Sequence, residues 1–195
     1  MIRVFLGILL MVLFMPLGRA DTGYVDPDGD VTTEWMPVPS GTHYTTVDDA
    51  IRQPNTPNTS DYVWADKGSL GPGVKDEFNM GTISGVGTVS SIEVWYNAYI
   101  GPQAVLGINV YLDGEWKTAQ QEAGGLDGAD GWFSKKWTGT WDQTDLDNLQ
   151  VRISLDQDMN FEGIIVYALY AEITYTPPSP ATTLKGVTLK GVTIK

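Results

Sequence analysis

Apolar residues in this chain recur at every second position, in runs separated by Gly, Pro, Asn and Asp. That is the spacing of half-buried strands, not of amphipathic helices. The longest run covers residues 163–175, GIIVYALYAEITY. Read as one regular strand, it places Ile165, Tyr167, Leu169, Ala171, Ile173 and Tyr175 on one face. Ile164, Val166, Ala168, Tyr170, Glu172 and Thr174 take the other. The first face is apolar throughout, and the second turns polar at Glu172. Pro177-Pro178 stops the run. Twelve residues at about 3.3 Å each span roughly 40 Å, which suits the middle of a sandwich.

The remaining strands are shorter. Residues 62–64, 75–80, 89–100, 104–112, 115–120, 132–137 and 150–156 all read as strands. In 89–100, Ile92, Val94, Tyr96 and Ala98 share a face, opposite Glu93, Trp95 and Asn97. In 150–156, Val151, Ile153 and Leu155 point inward, and Arg152 and Ser154 outward. Asp113-Gly114 is a hairpin turn signal. Residues 124–131 (GGLDGADG) and 53–60 (QPNTPNTS) read as loops, and 144–149 as a helical turn capped by Thr144. Pro and Gly restrict residues 21–58 to short or edge strands. The expected fold is all-β: an antiparallel β-sandwich, with a jelly roll preferred, one short helical turn and an extended C-terminal tail. Strands so unequal in length argue against an up-and-down barrel.

The two ends differ from the middle. Residues 1–20 read as a signal peptide, with Arg3 before an apolar run too short to span a bilayer. Gly18 and Ala20 are the small residues ahead of a cleavage site. The expectation is a secreted, extracellular protein beginning at Asp21, with no membrane contact once the leader is gone. A sandwich domain covers 21–176 and a Pro-rich linker 177–183. In the tail, 184–195, Leu-Lys-Gly-Val-Thr occurs twice before Ile194-Lys195. Its aliphatic residues Leu184, Val187, Leu189, Val192 and Ile194 form a β-prone segment that is an aggregation hazard unless paired. Paired with its own sheet, it is a last strand. Paired with a neighbour's open edge, it builds a homo-oligomer or polymer by strand addition.

Charge and composition narrow the chemistry. The net charge is −12, with every acidic residue between Asp21 and Glu172, which argues against nucleic acid and anionic membrane as partners. The tail carries only Lys185, Lys190 and Lys195 as charges, so it is drawn to an acidic body. With no cysteine and a single histidine, Cys/His metal sites and thiol nucleophiles are excluded. His43 is expected at the surface or a strand edge. No carboxylate pair stands out, and the chain is read as no enzyme. Asp26, Asp28 and Asp30 in DPDGD alternate as carboxylates converging on calcium do, with Glu34 downstream. Gly29, however, sits at the fourth position where an EF-hand loop needs it at the sixth. The competing reading is an Asp-rich turn, and no other cofactor is expected. Asp127 and Asp130 are a weaker pair of the same kind. Trp132, Trp137 and Trp141, beside Lys135 and Lys136, are candidates for gripping a glycan. Trp132 and Trp137 lie on opposite faces of one strand, so one of them belongs to the core.

The order GDVTTEW, HYTTVDDAI, KDEFNMGTISG and SIEVWYNAY resembles a family of β-sandwich domains found in uncharacterised phage virion proteins and secreted bacterial proteins. WTGTWDQTDLDNLQVRISL and YALYAEITYTPP are similar to that family's last third. The resemblance covers roughly residues 29–178 and rests on core and turn residues. It implies a jelly-roll-like sandwich with a structural or adhesive role, and carries over no catalytic residue. If the leader is removed as expected, the intact mass of exported protein will correspond to a chain starting at Asp21. A mass that retains residues 1–20 would rule this out.

Overall fold

The computed structural model describes residues 19–48, 52–66, 68, 70–71, 73–158 and 163–179. The tail residues Leu184, Val187, Leu189, Val192 and Ile194, and nearly all of the leader, lie outside these. The elements in order are β1 (Asp21–Val25), β2 (Pro27–Thr33), β3 (Met36–Val38), a 3-10 turn (Tyr44–Thr46), β4 (Tyr62–Ala65), β5 (Lys75–Met80), β6 (Thr88–Ile100) and β7 (Ala104–Leu112). They continue with β8 (Glu115–Trp116), β9 (Gln120–Ala123), β10 (Ala129–Trp141), α1 (Gln143–Asp147), β11 (Gln150–Asp158) and β12 (Ile164–Thr176).

The antiparallel pairs are nested. β4 pairs with β12, β5 with β11, β6 with β10, and β7 with β9, as in one long hairpin doubled back at its far end. The additional pairs β12–β6 and β11–β7 roll that hairpin into two sheets. Sheet A has the order β10-β6-β12-β4-β3, with β1 also on β12; sheet B has β2-β5-β11-β7-β8, with β9 also on β7. This is a jelly roll, and its core lies between the sheets. Ile92, Val94, Tyr96 and Ala98 from β6 meet Leu106, Ile108 and Val110 from β7, and Val151, Ile153 and Leu155 from β11, all fully buried.

Several elements depart from a regular reading. β12 is not one uninterrupted alternation. Val166 lies opposite Ala98 and Ala168 opposite Asn97, so Tyr167 is an extra residue, a β-bulge. The bulge reverses the phase: Ile164 and Val166 face the core together with Leu169, Ala171 and Ile173, while Ile165 and Tyr167 do not. Beside the bulge, Val47 takes the neighbouring strand's place, its carbonyl accepting from Leu169 N at 2.9 Å. Residues 115–120 do not form one strand; they divide between β8 and β9. β10 begins at Ala129, inside the expected loop. The helix cap is Asp142, not Thr144. Asp142 accepts from Thr144 N and Asp145 N, and the Asp145 carboxylate returns to Asp142 N as a capping box. The turn at Asp113-Gly114 forms as expected, with both residues at positive φ (53° and 73°).

His43 is buried, contrary to the expectation of a surface position. The alternation of β5 puts Asp76 in the inward row with Phe78 and Met80, and a buried carboxylate must be fully bonded. Asp76 accepts from Glu34 N (2.8 Å) and Trp35 N (2.9 Å), and its other oxygen lies 2.6 Å from His43 Nδ1. The pair thereby ties the segment before β3 and the 3-10 turn to sheet B. His43→Ala should cost about 3 kcal/mol by leaving the carboxylate unpaired. His43→Ala combined with Asp76→Leu should recover part of that loss in urea unfolding. If the single variant unfolds at the wild-type midpoint, the pair has no such role.

Candidate functional site

The outer face of sheet A is where half-buried aromatic rings gather. Tyr170, almost fully buried, stacks on Trp95 (6.3 Å between centroids, 11°). Tyr24 and Trp132 both meet it edge-on, at 6.0 and 5.8 Å. Alternation explains the grouping. Trp95 and Asn97 on β6 are opposed by Ser134 and Trp132 on β10, all facing away from the core.

A loop, residues 52–60, crosses this face and is held at three points. Arg52 lies 4.4 Å above the Tyr170 ring and forms a two-point pair with Asp26 at 2.7 and 2.8 Å. The Gln53 backbone bonds the Tyr170 hydroxyl. Trp132 Nε1 donates to Asn55 O at 2.8 Å. Between loop and sheet is a cleft of about 340 Å³, lined chiefly by Asn55, Thr56, Asn97, Asp130, Trp132 and Tyr167. Asn97 is only 8% exposed and lines the cleft. Burial, then Asp130 and Tyr62, push the Tyr167 phenol above its ordinary pKa. One wall of the cleft is therefore aromatic, and the remaining surface offers amide, hydroxyl and carboxylate groups.

Of the three tryptophans proposed for a ligand, only Trp132 reaches this cleft. Trp137 and Trp141 are both 8% exposed and belong to the core. Trp137 Nε1 donates to Thr118 O (3.0 Å), and together with Lys135–Glu122 (2.9 Å) closes the two sheets at the β10 side. The calcium candidates are not brought together. Asp26 holds Arg52, Asp30 accepts from His43 N and Tyr44 N at the 3-10 turn, and Asp28 is exposed. Among the described residues no group of three His, Cys, Asp or Glu side chains is placed to share a metal ion. Asp130 lines the cleft, while Asp127 is exposed in the loop before β10. Sequence reasoning missed Asn97 and Tyr167. Asn97 is the one amide in an aromatic row, which was a usable signal; Tyr167 is moved outward by the bulge, which was not.

No family model matches the chain, and no curated protein sequence matches it. Among solved structures it is similar to the Agl-KA catalytic domain (TM-score 0.44, 10% identity), covering 85% of this chain but 30% of that one. A CBM36-1 domain of a multidomain xylanase from the hindgut metagenome of Trinervitermes trinervoides gives 0.38 and 11%, over 78% and 96% of the two chains. The tobacco streak virus coat protein gives 0.34 and 9%, over 88% and 97%. The chain thus spans less than a third of the length of the first of these. At such scores none of the three bears on a site or a function. No helix among the described residues is long and apolar enough to cross a membrane.

On the outer face of sheet B the charges are paired. Burial would raise Glu77, but bonds from Thr32 (2.6 Å), Lys75 (3.0 Å) and Arg152 (2.7 Å) outweigh it and hold the carboxyl below its ordinary value of 4.5. Its neighbour Asp76 is shifted the other way. Burial there exceeds the opposing bonds from His43, Trp35 and Glu34, and the carboxyl is raised above 3.8. The two therefore act on stability with opposite signs. Glu77 stabilises above pH 4.5, and that contribution disappears as pH falls through its depressed pKa. The contribution of Asp76 is complete below 3.8 and is lost as pH rises through its raised pKa. The stability gap between wild type and Glu77→Gln, read from urea midpoints, should narrow on acidification below 4.5. A gap that stays constant to pH 3 would contradict this.

Proposed function

We propose that this chain is a secreted, non-catalytic structural subunit of an extracellular assembly such as a filament, sheath or surface layer. In this reading Leu184–Lys195 adds as a strand to the outer edge of β10 on a neighbouring copy. The observation that carries it is β10 itself. It is thirteen residues long, ends its sheet, and pairs only with β6 among the described residues. An unpaired edge of that length invites strand addition. The twelve-residue tail matches it in length, and its lysines suit an acidic body. The Pro-rich composition expected of the linker, with Pro177, Pro178 and Pro180, favours an extended chain over a tight turn back onto the same sheet.

Truncation after Thr176 tests the reading. The full chain should sediment as an assembly, and the truncated chain as a folded monomer with an unchanged melting midpoint. Lys136→Pro offers a second test on the acceptor side. The Lys136 carbonyl points off the sheet toward Gln120 Nε2 (2.7 Å), so its N–H also points off the sheet, and proline there should block addition without unfolding β10. If truncation leaves size and assembly unchanged, strand addition by the tail is ruled out; if both forms are monomers, a monomeric carbohydrate- or surface-binding module replaces the structural subunit.

A further inference from the structure

We infer that the cleft between the 52–60 loop and the outer face of sheet A is a binding site for a neutral carbohydrate, one or two pyranose units at the end or along the length of a glycan. The inference does not depend on assembly, since every residue in it lies within one copy. Its starting point is Asn97. Asn97 is 8% exposed and lines the cleft, so a ligand seated there meets a primary amide that both donates and accepts. This amide faces a cleft of about 340 Å³, at the small end of the range for ligand sites.

The chemistry of the walls narrows the class. A pyranose has one face of C–H groups and a rim of hydroxyls, each hydroxyl both donor and acceptor. Trp132 supplies a flat apolar surface whose orientation is fixed in advance by Nε1–H bonding to Asn55 O. Fixing the ring before binding removes the ordering cost that a mobile tryptophan would carry. Asn97 supplies a donor and an acceptor on one group, Asp130 supplies acceptors, and the Tyr167 hydroxyl completes the rim. An anionic ligand would meet Asp130, the one charged group in the lining, in a protein of net charge −12. A cation would be suited by Asp130 and the rings but would face the N–H donors of Asn97. A neutral polyol uses every group present.

The test uses the full chain and isothermal titration with neutral oligosaccharides: cello-, xylo- and manno-oligomers, and galactose-terminated chains. Sialylated chains and heparin fragments serve as anionic arms. At least one neutral glycan should bind saturably. Asn97→Ala should weaken it by about tenfold or more, the value of one buried hydrogen bond. Because the amide lines an open cleft and no described hydrogen bond of the fold is assigned to it, the same variant should melt close to the wild-type temperature. A purely structural asparagine would not separate in that way. Tyr167→Phe, which keeps the ring, should weaken binding by less. The inference is overturned if no neutral glycan binds, if Asn97→Ala binds as wild type does, or if only the anionic arms bind.

Discussion

Two apolar halves of one strand can share a core only if their alternation is in phase, and in β12 it is not. Ile164 and Val166 fall on even positions; Leu169, Ala171 and Ile173 fall on odd ones. The extra residue Tyr167 reconciles them. Because β12 lies between β6 and the β4/β1 side of sheet A, much of that sheet depends on this single insertion. Upstream of it β12 pairs with β4, downstream with β1, and Val47 fills the interval. The bulge also turns Tyr167 outward, where it becomes part of the cleft. The packing requirement and the candidate site therefore have a common origin.

The acidic residues near the N-terminus show a second constraint. In a chain without disulfides, loops must be held by bonds to the sandwich. Asp26, Asp30 and Asp76 each hold one segment: Asp26 the Arg52 loop, Asp30 the 3-10 turn, and Asp76 both that turn and the approach to β3. Their carboxylates are occupied by N–H groups and a guanidinium, and so do not converge. The Asp26–Arg52 contact has a further consequence. It positions the loop that walls the cleft, so Asp26, one of the three alternating aspartates, contributes to the shape of that cleft.

β10 serves both surfaces discussed here. Its outward side chains, Asp130 and Trp132, line the cleft, and its far edge, with no strand paired to it among the described residues, is the long edge of sheet A. Its inward residues, Lys135 and Trp137, reach across to Glu122 and Thr118 and close the sandwich. Sheet closure keeps the strand rigid, a requirement common to an accepting edge and to an aromatic platform.

Alternation, turn residues and strand length were enough to determine the all-β class, the inward rows of β6 and β11, the Asp113-Gly114 turn, and the opposite placement of Trp132 and Trp137. These follow from the two-residue period of a strand, a local property that any reading of the sequence can recover. What only the tertiary structure decided depends on partners distant in the chain. Which of the two tryptophans was inside depended on the register of β10 against β6. The phase of β12 depended on a bulge that leaves no local mark, since Tyr and Ile are equally at home on either face. His43 looked like a surface residue because nothing nearby in sequence announces Asp76, more than thirty positions away; the two meet because the nested pairing folds β5 beneath the turn. The cleft belongs to the same class. Asn55, Asn97, Trp132 and Tyr167 come from four separate segments, and only the rolled hairpin brings them to one face.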